Sequence, residues 1–319
     1  MLLTWDKGVQ LFFVISGYIL ALPFASYALK GGKKISLRSF YLRRVTRLEP
    51  PYLLAMILMF VLLVLKGRYS VAALFPSLLA SLTYTHNIIF GPPLIAVVTW
   101  SLEVEIQFYL VAPFISKIFF LEKSTRRAIL TACILLMPVI QSFVHFQTVT
   151  IFNFIQYFLA GLLLADLFVS NKNFIRIKNK WVNVLMGALL LAAILTINLQ
   201  AGVVNRVVFL TCVFFFYELV IFNSFWKKLF SIPVVAIIGG MCYSMYLWHF
   251  TIISFLGNYL MQFTGHYSYS TGLFIFCMPL GLCILGFTAL YFYFIEKPCM
   301  EKNWHKNLQK KVLILLSKR

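Results

Sequence analysis

Acidic residues are scarce in this chain. Only nine of the 319 residues are Asp or Glu, against 28 Lys and Arg, and charged residues of both signs make up 12%. A soluble domain carries about one-quarter charged residues, so the composition excludes an ordinary soluble enzyme. The six cysteines lack the spacing of a zinc or redox motif, and no repeat, low-complexity linker or appended soluble module stands out. We therefore expect no metal site and no bound cofactor.

Apolar residues are correspondingly abundant. They make up 61% of the chain, and the mean hydropathy is +0.89. A membrane-spanning helix needs about 20 apolar residues, and such stretches recur along the whole length. This pattern predicts an all-α polytopic bundle of about 9–10 transmembrane helices in a single domain, 1–319. The runs that carry the prediction are Pro51–Leu65, Ala128–Val144, Ile151–Val169, Val182–Leu199, Val207–Phe225 and Leu273–Ile295.

The formal net charge of +19 lies in short basic tracts between the apolar runs, which is typical of topology signals and excludes a nucleic-acid partner. All the main tracts become cytoplasmic if residues 71–90 do not cross the membrane. That gives nine spans, an external N-terminus and a cytoplasmic basic tail at 297–319, in a multi-pass protein of the inner (plasma) membrane in contact with its lipid. The basic tract after the first apolar stretch excludes a cleaved signal peptide, and the odd number of spans leads us to expect a missing span upstream.

The segment TWSLEVEIQFYL places two carboxylates in apolar surroundings. On a helix, Ser101, Glu105 and Tyr109 share one stripe, whereas Glu103 lies about 200° from Glu105. A carboxylate at mid-membrane depth costs at least ~2.5 kcal/mol, so it is a functional candidate. The alternative is a helix that begins at the interface, with its carboxylates in contact with water. We expect that alternative to hold for Glu103.

Two other segments carry candidate chemistry. In FYLRRVTRLEPPYLL, Arg43, Arg44 and Arg47 cover an arc of about 100° on a helix, which suits a phosphate-bearing ligand or only sets topology. The prolines after Glu49 predict the start of the next span. In GGMCYSMYLWHF, the two glycines allow either a close helix approach or a break. For His249 in this segment, a satisfied buried histidine bonded to a neighbouring helix is the favoured interpretation.

Together these segments resemble the acyltransferase 3 family of integral membrane acyltransferases, which includes O-antigen acetylases. Its motifs occur here in order, and any one of them alone is a weak signal. They are Gly8–Ile19 with the pair Ser16-Gly17, the Arg43–Tyr52 element, Trp100–Tyr109, Tyr243–His249 and the EKP at Glu296–Pro298. Alone, Ser16-Gly17 indicates only helix packing or a kink.

The resemblance implies transfer of an acyl group, usually acetyl from acetyl-CoA as co-substrate, to a hydroxyl of an extracytoplasmic glycan or lipid-linked saccharide. It implies cell-envelope O-acetylation with Glu105 as the motif carboxylate, assisted by His249. Arg43, Arg44 and Arg47 would bind the acyl donor. Trp100, Ser101, Tyr109, Ser16 and Tyr246 would line the substrate path.

One family feature is missing. Members usually carry an essential histidine in a span before the Gly8–Ile19 motif. We therefore expect this chain to be N-terminally truncated. Two other functions stay open: a polytopic glycan transporter or exporter, and a truncated remnant without activity.

Overall fold

The described part of the chain consists of helices joined by loops and turns. The structure, a computed structural model, describes residues 7–144, 146–172, 174–175, 179–264, 267–301 and 304, and no β-strand occurs among them, which confirms the all-α class. The α-helices are α1 Lys7–Lys30, α2 Leu37–Leu65, α3 Val71–Leu82, α4 His86–Ile89, α5 Trp100–Ile115, α6 Lys123–Phe143, α7 Ile155–Val169, α8 Lys180–Thr196, α9 Val203–Phe222, α10 Ser224–Phe230, α11 Pro233–Gly240, α12 Cys242–Met261, α13 Tyr269–Tyr291 and α14 Lys297–Met300. A π-helical turn at Phe292–Glu296 joins the last two.

Several of these helices can cross a membrane. By length and composition, five of the described segments qualify: α1, α2, α6, α9 and the continuous segment Tyr269–Met300. The bent pair α11–α12 is a sixth if it counts as one span. This confirms a multi-pass membrane protein, but the number is below the nine spans predicted. The reason is length, because α5, α7 and α8 have 16, 15 and 17 residues and fall short of the roughly 30 Å hydrocarbon core at 1.5 Å per residue.

Two breaks agree with the sequence. Helix α3 has 12 residues, about 18 Å, so it is too short to cross, as predicted for residues 71–90. Helices α11 and α12 meet at an angle of 69°. A Cβ on Gly239 or Gly240 would have no atom within 4 Å, so the glycine pair marks a break rather than a close helix approach.

The chain forms two compact units, each built from two separate stretches. One contains Met1–Leu37 and Ser101–Ala236, and the other contains Arg38–Trp100 and Ile237–Arg319. In the first unit, α1 packs against α7 through facing glycines. A Cβ on Gly17 would lie 2.9 Å from the Cα of Phe158, and a Cβ on Gly161 would lie 2.7 Å from the carbonyl carbon of Gly17. Ser16-Gly17 is therefore a helix-packing signal, one of its two predicted meanings.

The second unit is organised around the proline pair in α2. Proline lacks an N–H, so Pro50 and Pro51 leave the carbonyls of Thr46 and Arg47 without their helical donors. The indole Nε1 of Trp304 donates to the freed Thr46 carbonyl at 2.9 Å. Helix α2 begins at Leu37 and continues through both prolines, so they lie inside a helix, and the start of the span at this pair stays a prediction.

Candidate functional site

Glu105 lies at the centre of a hydroxyl cluster in the first unit. Its side chain is buried, and its Oε1 accepts hydrogen bonds from the hydroxyls of Ser16 on α1 and Tyr109 on α5, the latter at 2.5 Å. Tyr109 follows Glu105 by one helical turn, so the predicted stripe on α5 is confirmed. Ser101 lies on the same stripe and is buried as well. The structure thus brings Ser16, Ser101, Glu105 and Tyr109 together.

Glu103 does not lie at a water boundary. Its exposed fraction is 0%, so the expectation of an interfacial residue is wrong. The nearness of Glu103 to the helix start predicted a contact with water. That start is enclosed within the protein, with Thr99, Ser101 and Leu102 also buried. Both carboxylates of the segment are therefore interior groups.

The turn before α5 belongs to the second unit. The Trp100 carbonyl accepts a hydrogen bond from Asn87 Nδ2 at 2.8 Å, and the Val98 carbonyl accepts one from the Tyr246 hydroxyl. Side chains of α4 and α12 therefore fix the backbone that leads into the motif helix. Within the second unit, Trp100 and Tyr246 are two predicted path residues that come near the same turn.

The three arginines share the predicted face of α2, and two of them lean toward its N-terminus. Arg43 donates to the Ser39 carbonyl at 3.2 Å and to the Ser39 hydroxyl at 3.1 Å. Arg44 donates to the Phe40 carbonyl at 2.9 Å, and its guanidinium lies 3.6 Å from the centre of the Phe40 ring. Arg43 and Arg47 are exposed, so their guanidinium groups can reach an external anion.

His249 hydrogen-bonds within its own helix. Its Nδ1 lies 3.1 Å from the Met245 carbonyl and 2.8 Å from the Tyr246 carbonyl. Carbonyl oxygens only accept, so Nδ1 carries a proton, and in the neutral ring Nε2 then presents a lone pair. The predicted bond to a neighbouring helix is wrong, and the ring is half-buried rather than enclosed. Among the described residues, Nε2 has no hydrogen-bond partner.

His86 is buried, and both of its ring nitrogens are hydrogen-bonded. Its exposed fraction is 0%, and its Nδ1 lies 2.8 Å from the Gly91 carbonyl. By the same logic Nδ1 is the donor, so the Ser77 hydroxyl donates to Nε2 at 2.8 Å. This pair ties α3 to α4 and the loop that follows. His145, His266 and His305 fall outside the described residues.

Comparison with known proteins identifies the family. The family model described as "Acyltransferase domain", that of acyltransferase 3, matches residues 8–295. The chain belongs to the acyltransferase 3 family. It is 28% identical over 348 residues to a Staphylococcus aureus (strain MRSA252) protein named "Putative O-acetyltransferase SAR0937", covering 94% of this chain and 54% of that protein. It is 29% identical over 293 residues to "O-acetyltransferase OatA" of S. aureus (strain NCTC 8325 / PS 47), covering 80% and 47%.

The chain thus spans about half the length of the curated relatives it matches. No solved structure matches the chain. The acyltransferase 3 match encloses the whole Glu105 cluster, the arginine face and His249. Apart from the EKP at Glu296–Pro298, which directly follows the match, the elements that carry the sequence resemblance lie in the matched domain, and the resemblance is confirmed.

Sequence reasoning missed two buried carboxylates, Asp166 and Glu218, and assigned no role to a third, Glu296. Asp166 is bound by Arg126 and Arg127, each at 2.5 Å. Glu218 accepts the backbone N–H of Ile175 at 3.0 Å. Glu296, in the EKP motif, accepts the backbone N–H of Ser244 at 3.1 Å. Asp166 and Glu218 lie inside apolar runs and Glu296 directly follows one, in a chain that has only nine acids, which was the available signal.

Proposed function

We propose that the chain is the membrane domain of an O-acetyltransferase. It transfers an acetyl group from acetyl-CoA to a hydroxyl of an extracytoplasmic glycan or lipid-linked saccharide. The family membership and the names of the relatives support O-acyl transfer. The observation that carries the proposal is the buried Glu105 carboxylate, which bonds two hydroxyl groups at the family's motif position.

The reaction needs a group that removes a proton. The acceptor hydroxyl attacks the thioester carbonyl, a C–O bond forms, the C–S bond breaks, and the hydroxyl proton leaves. Glu105 accepts that proton, either directly or through the Tyr109 hydroxyl that is bonded to it, and then releases it, which balances the proton that the departing CoA thiolate takes up to become the free thiol. An acceptor hydroxyl would replace one of the two hydroxyls that now bond Glu105. His249 offers an accessible Nε2 lone pair and is a second candidate base.

The arginine face is the proposed donor-binding surface. The 3′-phosphate and diphosphate of CoA are the anions that forked guanidinium groups bind. Arg43 and Arg47 are exposed on α2, and Arg44 is held against Phe40. Since CoA is a cytoplasmic metabolite, this face and the C-terminal tail would lie on the cytoplasmic side of the inner membrane. Trp100, Ser101 and Tyr246 would line the substrate path. Acetyl-CoA acts as co-substrate, with no bound cofactor.

A direct assay tests the proposal. The purified chain in lipid nanodiscs is incubated with acetyl-CoA carrying a radiolabelled acetyl group, with and without a saccharide acceptor. We expect acceptor-dependent release of free CoA, matched by label on the acceptor. Transport of saccharide into vesicles without CoA release would instead identify an exporter. No turnover and no transport, from folded protein, would contradict the proposal for this chain.

A further inference from the structure

The first unit contains a cavity, and none of its lining residues belongs to the Glu105 cluster. It has a volume of about 600 Å³ and is formed by the ends of α1 and α7, the turn before α6 and the first residues of α6. Its polar lining residues are Lys30, Arg126, Ser170 and Asn171, and Phe119 and Phe120 provide apolar walls. The volume is within the range of small-molecule sites, roughly 300–1,000 Å³.

Arg126, which lines this cavity, has a donor that is not used within the described residues. The residue is 6% exposed. Its Nε donates to Asp166 at 2.5 Å and its Nη1 to the Leu121 carbonyl at 3.1 Å. Nη2 has no acceptor among the described residues and is not enclosed. The guanidinium is thus held rigid by two bonds, while two N–H groups of Nη2 stay free for a ligand.

The charges around the cavity sum to a positive value. Asp166 is neutralised by Arg127 at 2.5 Å, so the charge of Arg126 is left over, and Lys30 adds a second positive charge. The C-terminal ends of α1 and α7 oppose this with about half a negative charge each. The carbonyls of Asp166, Leu167 and Phe168 at the end of α7 are already occupied by backbone N–H groups. Two full charges therefore outweigh the two helix ends.

Glu122 is the acid next to this segment in sequence, and it does not line the cavity. It is exposed, and the Ser124 hydroxyl and backbone N–H lower the pKa of its carboxyl. Its carboxylate is thereby engaged at the start of α6. No acidic side chain is among the cavity-lining residues that the structure describes.

We propose that this cavity binds a phosphate group. Arg126 would supply the rigid donor pair, Lys30 a mobile ammonium, and Ser170 and Asn171 additional polar contacts. The ligand's phosphate belongs either to a free phosphate compound or to the headgroup of an anionic lipid. The site is formed by residues other than the arginine face of α2, so its occupancy does not depend on the acyl-transfer proposal.

The test removes one charge at an exposed position, where we expect the substitution to leave the fold intact. Lys30→Gln removes the exposed ammonium that lines the cavity, and Lys123→Gln removes an equally exposed charge of α6 that does not. In the first arm, binding of inorganic pyrophosphate to the chain in phosphatidylcholine nanodiscs is measured by calorimetry. In the second arm, phosphatidylglycerol retained by the purified chain is counted by native mass spectrometry.

We expect Lys30→Gln to weaken binding about two- to fivefold in at least one arm, as for a partly exposed ion pair, with Lys123→Gln unchanged. A loss confined to pyrophosphate assigns a free phosphate compound, and a loss confined to phosphatidylglycerol assigns a lipid headgroup. Arg126→Lys keeps a cation beside Asp166 but lacks the forked Nη2, and is expected to weaken the same arm. Equal behaviour of Lys30→Gln and Lys123→Gln in both arms overturns the proposal.

Discussion

At the scale of the residue, the most informative position is the Oε1 atom of Glu105. Two hydroxyls bond to this one oxygen, from Ser16 and Tyr109. Hydrogen bonds to an ionised carboxylate are about twice as strong as those between neutral groups. They hold the carboxylate in one orientation, which a group that must accept a proton at a defined place requires.

Glu105→Gln tests the carboxylate. Gln keeps the size and one hydrogen-bonding oxygen, so the protein is expected to insert and fold. Acetyl transfer is expected to fall at least about a hundredfold, the lower range for loss of a general base. The measurement is label transfer from acetyl-CoA at matched membrane expression.

Glu103→Gln is the comparison for that experiment. The side chain is fully buried two residues away on the same helix, so it controls for loss of a buried carboxylate as such. We expect Glu103→Gln to retain most of the transfer activity. Equal losses at both positions would show that the two carboxylates act as a coupled pair.

The arginine face gives a second test. Arg47→Lys keeps the charge and loses the planar fork. We expect the KM for acetyl-CoA to rise several-fold, with kcat little changed, because uniform binding is lost. Arg68→Lys, in the loop after α2, is the matched control on the same stretch of chain. A normal KM for Arg47→Lys would mean that positive charge is sufficient.

At the scale of the element, the contact of α1 with α7 fixes where Ser16 lies. Each helix presents a glycine to the backbone of the other, and Gly17 follows Ser16 directly. Phe13 on α1 packs on Phe158 on α7 with ring centres 4.7 Å apart, and Phe158 stacks on Phe108 of α5 at 4.0 Å. The aromatic side chains thus connect the helix that carries Ser16 with the helix that carries Glu105.

Gly17→Ala tests this contact. The added methyl would meet the backbone of Phe158, which cannot rotate away as a side chain could. We expect a loss of roughly 1–3 kcal/mol in stability, the usual cost of overpacking. Melting of the chain in detergent, followed by circular dichroism, measures it. Gly8→Ala in the same helix meets nothing within 4 Å and is expected to leave the melting temperature unchanged or slightly raised.

Helices and their polar faces were predicted from the sequence better than the contacts between distant segments. The spacing of Ser101, Glu105 and Tyr109 is local, so helical geometry alone gave the stripe. The Ser16 contact joins residues 89 positions apart, and no local period contains it. Glu103 was misjudged for the same reason: depth along a helix does not reveal what other segments cover that helix. Asp166 was missed because its two arginines lie about 40 residues earlier in the chain.

At the scale of the whole molecule, the membrane topology depends on which of the short helices cross the membrane. Helix α8 has 17 residues, near the lower limit of about 17 for a span. The basic tract before it and the loop between α12 and α13 were predicted to lie on opposite sides. That arrangement requires an odd number of crossings among α8, α9 and the α11–α12 pair, and the nine-span prediction has all three cross.

Reporter fusions test whether these two positions lie on opposite sides of the membrane. A phosphatase reporter joined after Lys172 is expected to be inactive, as a cytoplasmic fusion is, and one joined after Tyr267 to be active, as an external fusion is. The paired fusions with a fluorescent protein that folds only in the cytoplasm should give the reverse pattern. The same side for both positions would show that an even number of the three segments cross, which contradicts the nine-span prediction.

The proline pair of α2 has a consequence for the order of synthesis. Pro50 leaves the Thr46 carbonyl without a helical donor, and the donor that replaces it, Trp304, lies 258 residues later. At about 5–20 residues per second, the ribosome adds Trp304 roughly 13–50 seconds after it adds Thr46. Tyr291, which donates to the Pro51 carbonyl, arrives almost as late. These two hydrogen bonds of the second unit therefore form only after nearly the whole chain has been synthesised, and until then the Thr46 carbonyl lacks the Trp304 donor.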